Sequence, residues 1–170
     1  MKTKAALVDA INALIGAVGD KFDTDEDGDP ERDFIAARCP KRLEGTVRAL
    51  PTLSMHLLAA IADGPLSLVG LAARSGQLKG TVSKHVQRLV EAGLVERAPV
   101  PGNRKEIALG LTADGELVTA AHGELHDEMD RGMREFLQRY SNADLQVLET
   151  VLRDLLAARK DGVRIVPGRA

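Results

Sequence analysis

Between Thr52 and Leu111 the apolar period of the chain changes from helical to extended, and this change limits the possible folds more than any other feature. Leu53, Leu57, Leu58 and Ile61 form one helical stripe, which Asp63-Gly64-Pro65 terminates. Ser67 can cap a second short helix carrying Val69, Leu71 and Ala72, which ends at Ser75-Gly76. A third runs from Lys79 to about Ala92 with Val82, Val86 and Leu89 inward, and Gly93 closes it. Leu94 to Ala98 then alternates loosely. A turn of Pro99, Pro101, Gly102 and Asn103 follows, and Ile107, Leu109 and Leu111 alternate with Glu106, Ala108 and Gly110. Three short helices followed directly by a hairpin predict a winged helix-turn-helix over residues 51–112.

The remaining sequence predicts helical arms. The 170 residues are 44% apolar but hold only 3 Phe, 1 Tyr and no Trp, so the core is built from Leu, Val, Ile and Ala. Such a core favours helices over sheets. The fold class expected is therefore mainly α with a small β-hairpin wing, and the length excludes a large multidomain enzyme. Residues 1–50 hold an N-terminal helix and an acidic connector. The basic start and apolar run resemble a secretory signal, but Asp9 and Asn12 interrupt the run. Leu7, Ile11, Leu14, Ile15 and Val18 keep helical spacing, so the segment reads as an amphipathic helix. Phe34 to Ala49, divided by Pro40, predicts short helical pieces. Over 113–160, Thr112 caps a long helix reaching about Tyr140, and Ser141 or Asn142 caps a last one with Leu145, Leu148, Val151, Leu152 and Leu155 as its stripe. Residues 161–170 read as a loose tail. No stretch has the length of a membrane span, so no membrane partner is expected. Cys39 is the sole cysteine, which excludes an intramolecular disulfide and fits a reducing cytoplasm.

The net charge of −2 conceals a strong polarity. Asp20 to Asp33 carries a net −6, Ala113 to Glu135 a net −5, and Leu66 to Lys105 a net +5. With Val82, Val86 and Leu89 facing the core, the opposite side of the third helix carries Gly80, Thr81, Ser83, Lys84, Gln87 and Arg88, and no acid until Glu91 near its end. Hydroxyl, amide and cationic groups are those that read base edges and phosphates in a major groove. Lys79 starts the same helix, Arg97 lies on the first wing strand, and Arg104 and Lys105 follow the wing turn, where cations suit the negative potential of a narrow minor groove. The candidate DNA-binding residues are thus Lys79, Thr81, Ser83, Lys84, Gln87, Arg88, Arg97, Arg104 and Lys105. His85, beside the apolar stripe, reads as partly buried packing.

Leu71-Ala72, Thr81-Val82-Ser83-Lys84, Arg88-Leu89, Glu91-Ala92-Gly93-Leu94-Val95 and Leu111-Thr112-Ala113-Asp114-Gly115 together resemble the MarR family of bacterial and archaeal transcription regulators. The resemblance extends more weakly from Leu50 to about Ala158. Two places depart from the family pattern. Asn103-Arg104-Lys105 stands where the family usually has Asp-x-Arg at the wing, so Asn103 would brace the wing and either Arg104 or Lys105 would enter the minor groove. An acidic connector and Pro40 divide a region that is usually one helix. The resemblance implies a homodimer with N- and C-terminal helices interleaved. The apolar stripes of those helices agree, because a winged domain this small cannot cover them. The function expected is a ligand-responsive repressor that binds a pseudo-palindromic operator on double-stranded DNA. A small effector would sit between the dimer helices and the winged domain. The rival reading, a winged-helix module for protein contact, predicts an acidic or apolar third-helix face, and the residues there are neither.

Other patterns carry less. His122 and His126 stand i, i+4 and could present two imidazoles to one Zn²⁺, but they read more simply as exposed or interface histidines. Asp23-x-Asp25-x-Asp27-Gly28 imitates the start of a calcium loop and then fails at Pro30 and Phe34. Cys39, with Arg38, Lys41 and Arg42 beside it to lower its pKa, lacks a surrounding sensor motif. No nucleophile elbow, phosphate loop or metal triad appears, so neither an enzyme nor a cofactor is expected.

Overall fold

A computed structural model describes residues 3–23, 29–100, 103–162 and 164–166, with the side chains of 20–23, 100 and 103–106 outside the description. The elements are α1 (Lys4–Asp23), α2 (Pro30–Arg38), α3 (Lys41–Ala49), α4 (Thr52–Ala62), β1 (Leu66–Ser67), α5 (Leu68–Ser75), α6 (Lys79–Glu91), β2 (Val95–Val100), β3 (Asn103–Leu111), α7 (Ala113–Leu137), α8 (Asn142–Ala157), β4 (Arg159–Asp161) and β5 (Arg164–Val166). The chain forms two compact units, residues 1–122 and 123–170.

In the first unit, α4, α5 and α6 pack on one another and α4 and α5 also contact β3. Leu57, Leu71, Val82, Val86, Leu89 and Leu94 are fully buried, and α3 and α7 add Val47 and Val118 to the same core. The α4 stripe is wider than expected, because Ser54 and Met55 are buried beside Leu57, Leu58 and Ile61 while Leu53 is only half-buried. In α5, Leu71 and Ala72 are buried while Val69 is 60% exposed. Local chemistry sets the helix ends. Ser67 Oγ accepts from the Gly70 amide to start α5, and Gly76 ends it at φ +64, a conformation glycine adopts without strain.

The wing strands pair antiparallel, Val95 with Leu111 and Arg97 with Leu109, and the register shifts at Pro99/Val100. Sequence pattern alone does not mark β1, which adds Leu66 and Ser67 opposite Leu109 and Ala108 to make a three-stranded sheet ordered β1-β3-β2. A strand of two residues is too short to show alternation.

Three contacts anchor the wing to α7. The Thr112 amide donates to Leu94 O at 3.1 Å, the Thr112 hydroxyl donates to Gly93 O at 2.6 Å, and Thr112 Oγ1 accepts from the Gly115 amide at 3.0 Å. A methyl group at Gly115 would collide with Leu94 O, so only glycine permits this approach. The Gly-Leu-Val and Leu-Thr-x-x-Gly segments are therefore two halves of one junction.

The N-terminal region corrects the expected connector. Helix α1 persists through Asp23 into the acidic segment, and Pro30 opens α2, with Asp29 Oδ1 accepting from the Arg32 amide at 2.9 Å. Most of the calcium-like pattern lies outside the described residues. Pro40 separates α2 from α3 as expected, and both are short.

In the second unit Ser141 caps α8 in a reciprocal box with Asp144. Where a loose tail was expected, β4 and β5 form a hairpin pairing Arg159 with Val166 and Asp161 with Arg164. Gly162, at φ +60, supplies the turn that the short alternation did not advertise.

Candidate nucleic-acid interface

Helix α6 buries Val82, Val86 and Leu89 completely, which turns its other face to solvent. Lys79, Lys84, Gln87 and Arg88 are exposed there, and Thr81 and Ser83 are half-buried at its flanks. The predicted third-helix residues thus share one accessible surface, with the cations Lys79, Lys84 and Arg88 distributed along it. A methyl group added at Gly80 would meet no atom within 4 Å, so this glycine clears space on the face rather than serving packing.

Two predicted readers are already engaged with each other. Gln87 Nε2 donates to Glu91 Oε1 at 2.8 Å, and Arg97 Nη2 donates to Gln87 Oε1 at 3.1 Å. A chain of polar contacts thus runs from β2 through Gln87 to the C-terminal turn of α6. Arg97 is held toward the recognition surface instead of extending from the wing. Glu91, absent from the expected binding residues, anchors this chain, and its i, i+4 spacing to Gln87 was the signal for it in the sequence. Arg104, Lys105 and Asn103, the residue expected to brace the wing, belong to β3 by backbone, but their side chains lie outside the described residues.

His85 sits half-buried on the inner flank of α6, with Nδ1 2.8 Å from the fully buried Ser54 Oγ on α4. Burial pushes the imidazole below its usual range, and the charges of Arg88 and Lys84 act in the same direction. The packing role expected from sequence holds, but its polar partner was not foreseen, because nothing in an apolar α4 stripe marks Ser54 as interior.

The remaining candidates divide. His122 is a correction, being buried instead of exposed, with its ring 5.8 Å from that of His56; His126 is exposed. Among the described residues no three of His, Cys, Asp and Glu gather as a metal site. At Cys39 burial pushes the thiol up, against the lowering that Arg38, Lys41 and Arg42 beside it could have given.

A family model described as the MarR family matches residues 50–106. Transcriptional regulator HosA of Escherichia coli O111:H- is 30% identical over 103 residues, 60% of this chain and 74% of that protein. The uncharacterized HTH-type transcriptional regulator YhjH of Bacillus subtilis (strain 168) is 26% identical over 113 residues, covering 66% of this chain but only 65% of YhjH, just under two thirds of its length. Among solved structures, the zinc-responsive MarR family member ZitR of Lactococcus lactis superposes at a TM-score of 0.67 with 18% identity, covering 89% of this chain and 97% of that one. Streptococcus pneumoniae FabT, solved in complex with DNA, superposes at 0.61 with 18% identity over 88% of this chain and 94% of its own. At these identities the structures show a shared winged-helix fold.

Proposed function

The chain belongs to the MarR family, and on that premise we propose that it is a DNA-binding transcriptional regulator acting in the cytoplasm as a homodimeric repressor. The single observation that carries the reading is the exposed face of α6, where Lys79, Lys84, Gln87 and Arg88 stand opposite a fully buried Val82-Val86-Leu89 stripe. An α-helix with that face fits a major groove, its amide and hydroxyl groups reading base edges while the cations meet phosphates. The β2–β3 wing then reaches toward the neighbouring minor groove with Arg104 or Lys105. The net −5 of Ala113 to Glu135 repels a duplex from α7. The relatives are regulators by name, in keeping with a sequence that holds no enzyme motif.

Homodimerisation rests on the arms. In α1, Leu7, Ile11, Leu14, Ile15 and Val18 are 48–63% exposed in the single chain, and α8 presents a comparable apolar stripe. A second copy with the same stripes is the natural partner, and two-fold symmetry then calls for a pseudo-palindromic operator. An effector has a place to act: a cleft of about 610 Å³ lies between α3 and the C-terminal turn of α6, lined by Thr46, Ala49, Pro51, Arg88 and Glu91. A ligand there would share Arg88 with DNA and Glu91 with the Gln87–Arg97 chain, and so would alter the reading surface directly.

Mobility-shift titration of duplex fragments from around its own gene, repeated at several salt concentrations, tests the reading. Affinity should fall steeply with salt, and Lys84→Ala with Arg88→Ala should cost at least about 100-fold and flatten the salt slope by about four contacts per dimer. Binding indifferent to both salt and the double substitution would sink it.

A further inference from the structure

Leu78 is the anomaly of the recognition surface. It occupies the N-cap of α6, its carbonyl accepting from the Val82 amide at 3.0 Å, and its side chain is 80% exposed. The chain caps α2, α5, α7 and α8 with side-chain oxygens from Asp29, Ser67, Thr112 and Ser141, and α3 and α4 follow prolines, whereas α6 has neither device. A leucine here forgoes a cap and gains almost no burial, so folding does not account for it. Departures from local rules without a structural return are where function is expected.

The surroundings identify what an apolar group would meet there. Lys79 is exposed next to it, Thr81 stands one turn on, and Lys84 is exposed further along the same helix, so the helix that Leu78 opens carries the cations that select a polyanion. In a duplex the first residues of a recognition helix reach base edges, and the apolar group displayed on the major-groove edge is the 5-methyl of thymine. Resting on the DNA-binding reading above, we propose that Leu78 is a specificity-determining residue that packs on the methyl group of one thymine in each half-site. Sequence preference at that position then comes from apolar contact, while Lys84, Gln87 and Arg88 supply phosphate and hydrogen-bonding contacts.

The test uses the full chain. Its operator is selected from a random duplex pool, and the selected duplex is remade with deoxyuridine at each thymine in turn, which removes only a methyl group. The native protein should lose about fourfold in affinity for each half-site substituted at one particular thymine, the factor expected for one buried methyl. Leu78→Ala and the cap-restoring Leu78→Ser, which guards against a merely unfolded variant, should bind the thymine operator correspondingly more weakly and be indifferent to uracil at that position. An enriched operator whose uracil scan is the same in native and variant proteins overturns the proposal alone. Absence of both an enriched sequence and salt-dependent binding overturns the DNA-binding reading with it.

Discussion

The winged helix and the arms use the same aliphatic residues to opposite effect. In the winged helix Leu57, Leu71, Val82, Val86, Leu89 and Leu94 are fully buried, and hydrogen bonds from Thr112 fasten the hairpin to α7. In α8, Val147, Leu148, Val151, Leu152, Leu155 and Leu156 remain 42–90% exposed. A soluble chain rarely leaves continuous stripes of that kind uncovered. The difference separates what one chain completes by itself from what the proposed dimer leaves for a second copy: the winged helix is self-sufficient, and on that proposal the arms are half of an interface.

The largest effect should come from breaking the arms. Each α1 leucine or isoleucine is worth about 2 kcal/mol when buried, so Ile11→Asp with Leu14→Asp removes about 8 kcal/mol from a dimer containing four such sites. Analytical ultracentrifugation should then show one chain's mass in place of two, while thermal melting of the winged-helix core stays within about 1 kcal/mol of native. If the variant remains dimeric, α1 is not part of the interface.

A smaller effect follows from disturbing the self-sufficient half. Gly115→Ala drives a methyl group into Leu94 O, and because that neighbour is backbone at the entry to β2, relief requires moving α7 or the wing. We expect a loss of about 3 kcal/mol, the upper part of the overpacking range, seen as a lowered denaturant midpoint with the dimer preserved. Ala at a surface glycine such as Gly132, which has nothing within 4 Å, is the control and should be neutral or slightly stabilising.

Legibility in the sequence follows the same division. Wherever an apolar stripe is long and ended by glycine, as in α6 with Gly93, element and facing can be read from the residues alone, and so can the exposed set Lys84, Gln87 and Arg88. The losses lie where structure depends on distant chain. Strand β1 is defined only by β3 opposite it, and the interior Ser54 finds its polar partner only when α6 brings His85 against it. Of the apolar residues that α5 carries, Val69 points to solvent because so short a helix buries a narrow face. The Gln87–Glu91 link is legible in spacing, but Arg97 joins it only through the fold.

The finest comparison concerns a polar contact set into the apolar core of the head. Ser54 is fully buried with its Oγ 2.8 Å from His85 Nδ1, so it couples the orientation of α6 to α4. Ser54→Ala should cost about 1 kcal/mol by leaving the imidazole nitrogen without its partner. His85 also gives the head a pH dependence. Burial first, then Arg88 and Lys84, hold its pKa below the unfolded value, so the folded state favours the neutral ring. For a depressed pKa the stabilising contribution is complete above the unfolded value, about 6.5, and is lost as pH falls from there toward the folded one. Denaturant titrations at pH 7.5 and 5.5 should therefore show the native protein losing more stability than His85→Gln over that interval. Equal losses would mean that the ring titrates as in the unfolded chain and that the Ser54 contact joins α6 to α4 irrespective of the charge state of His85.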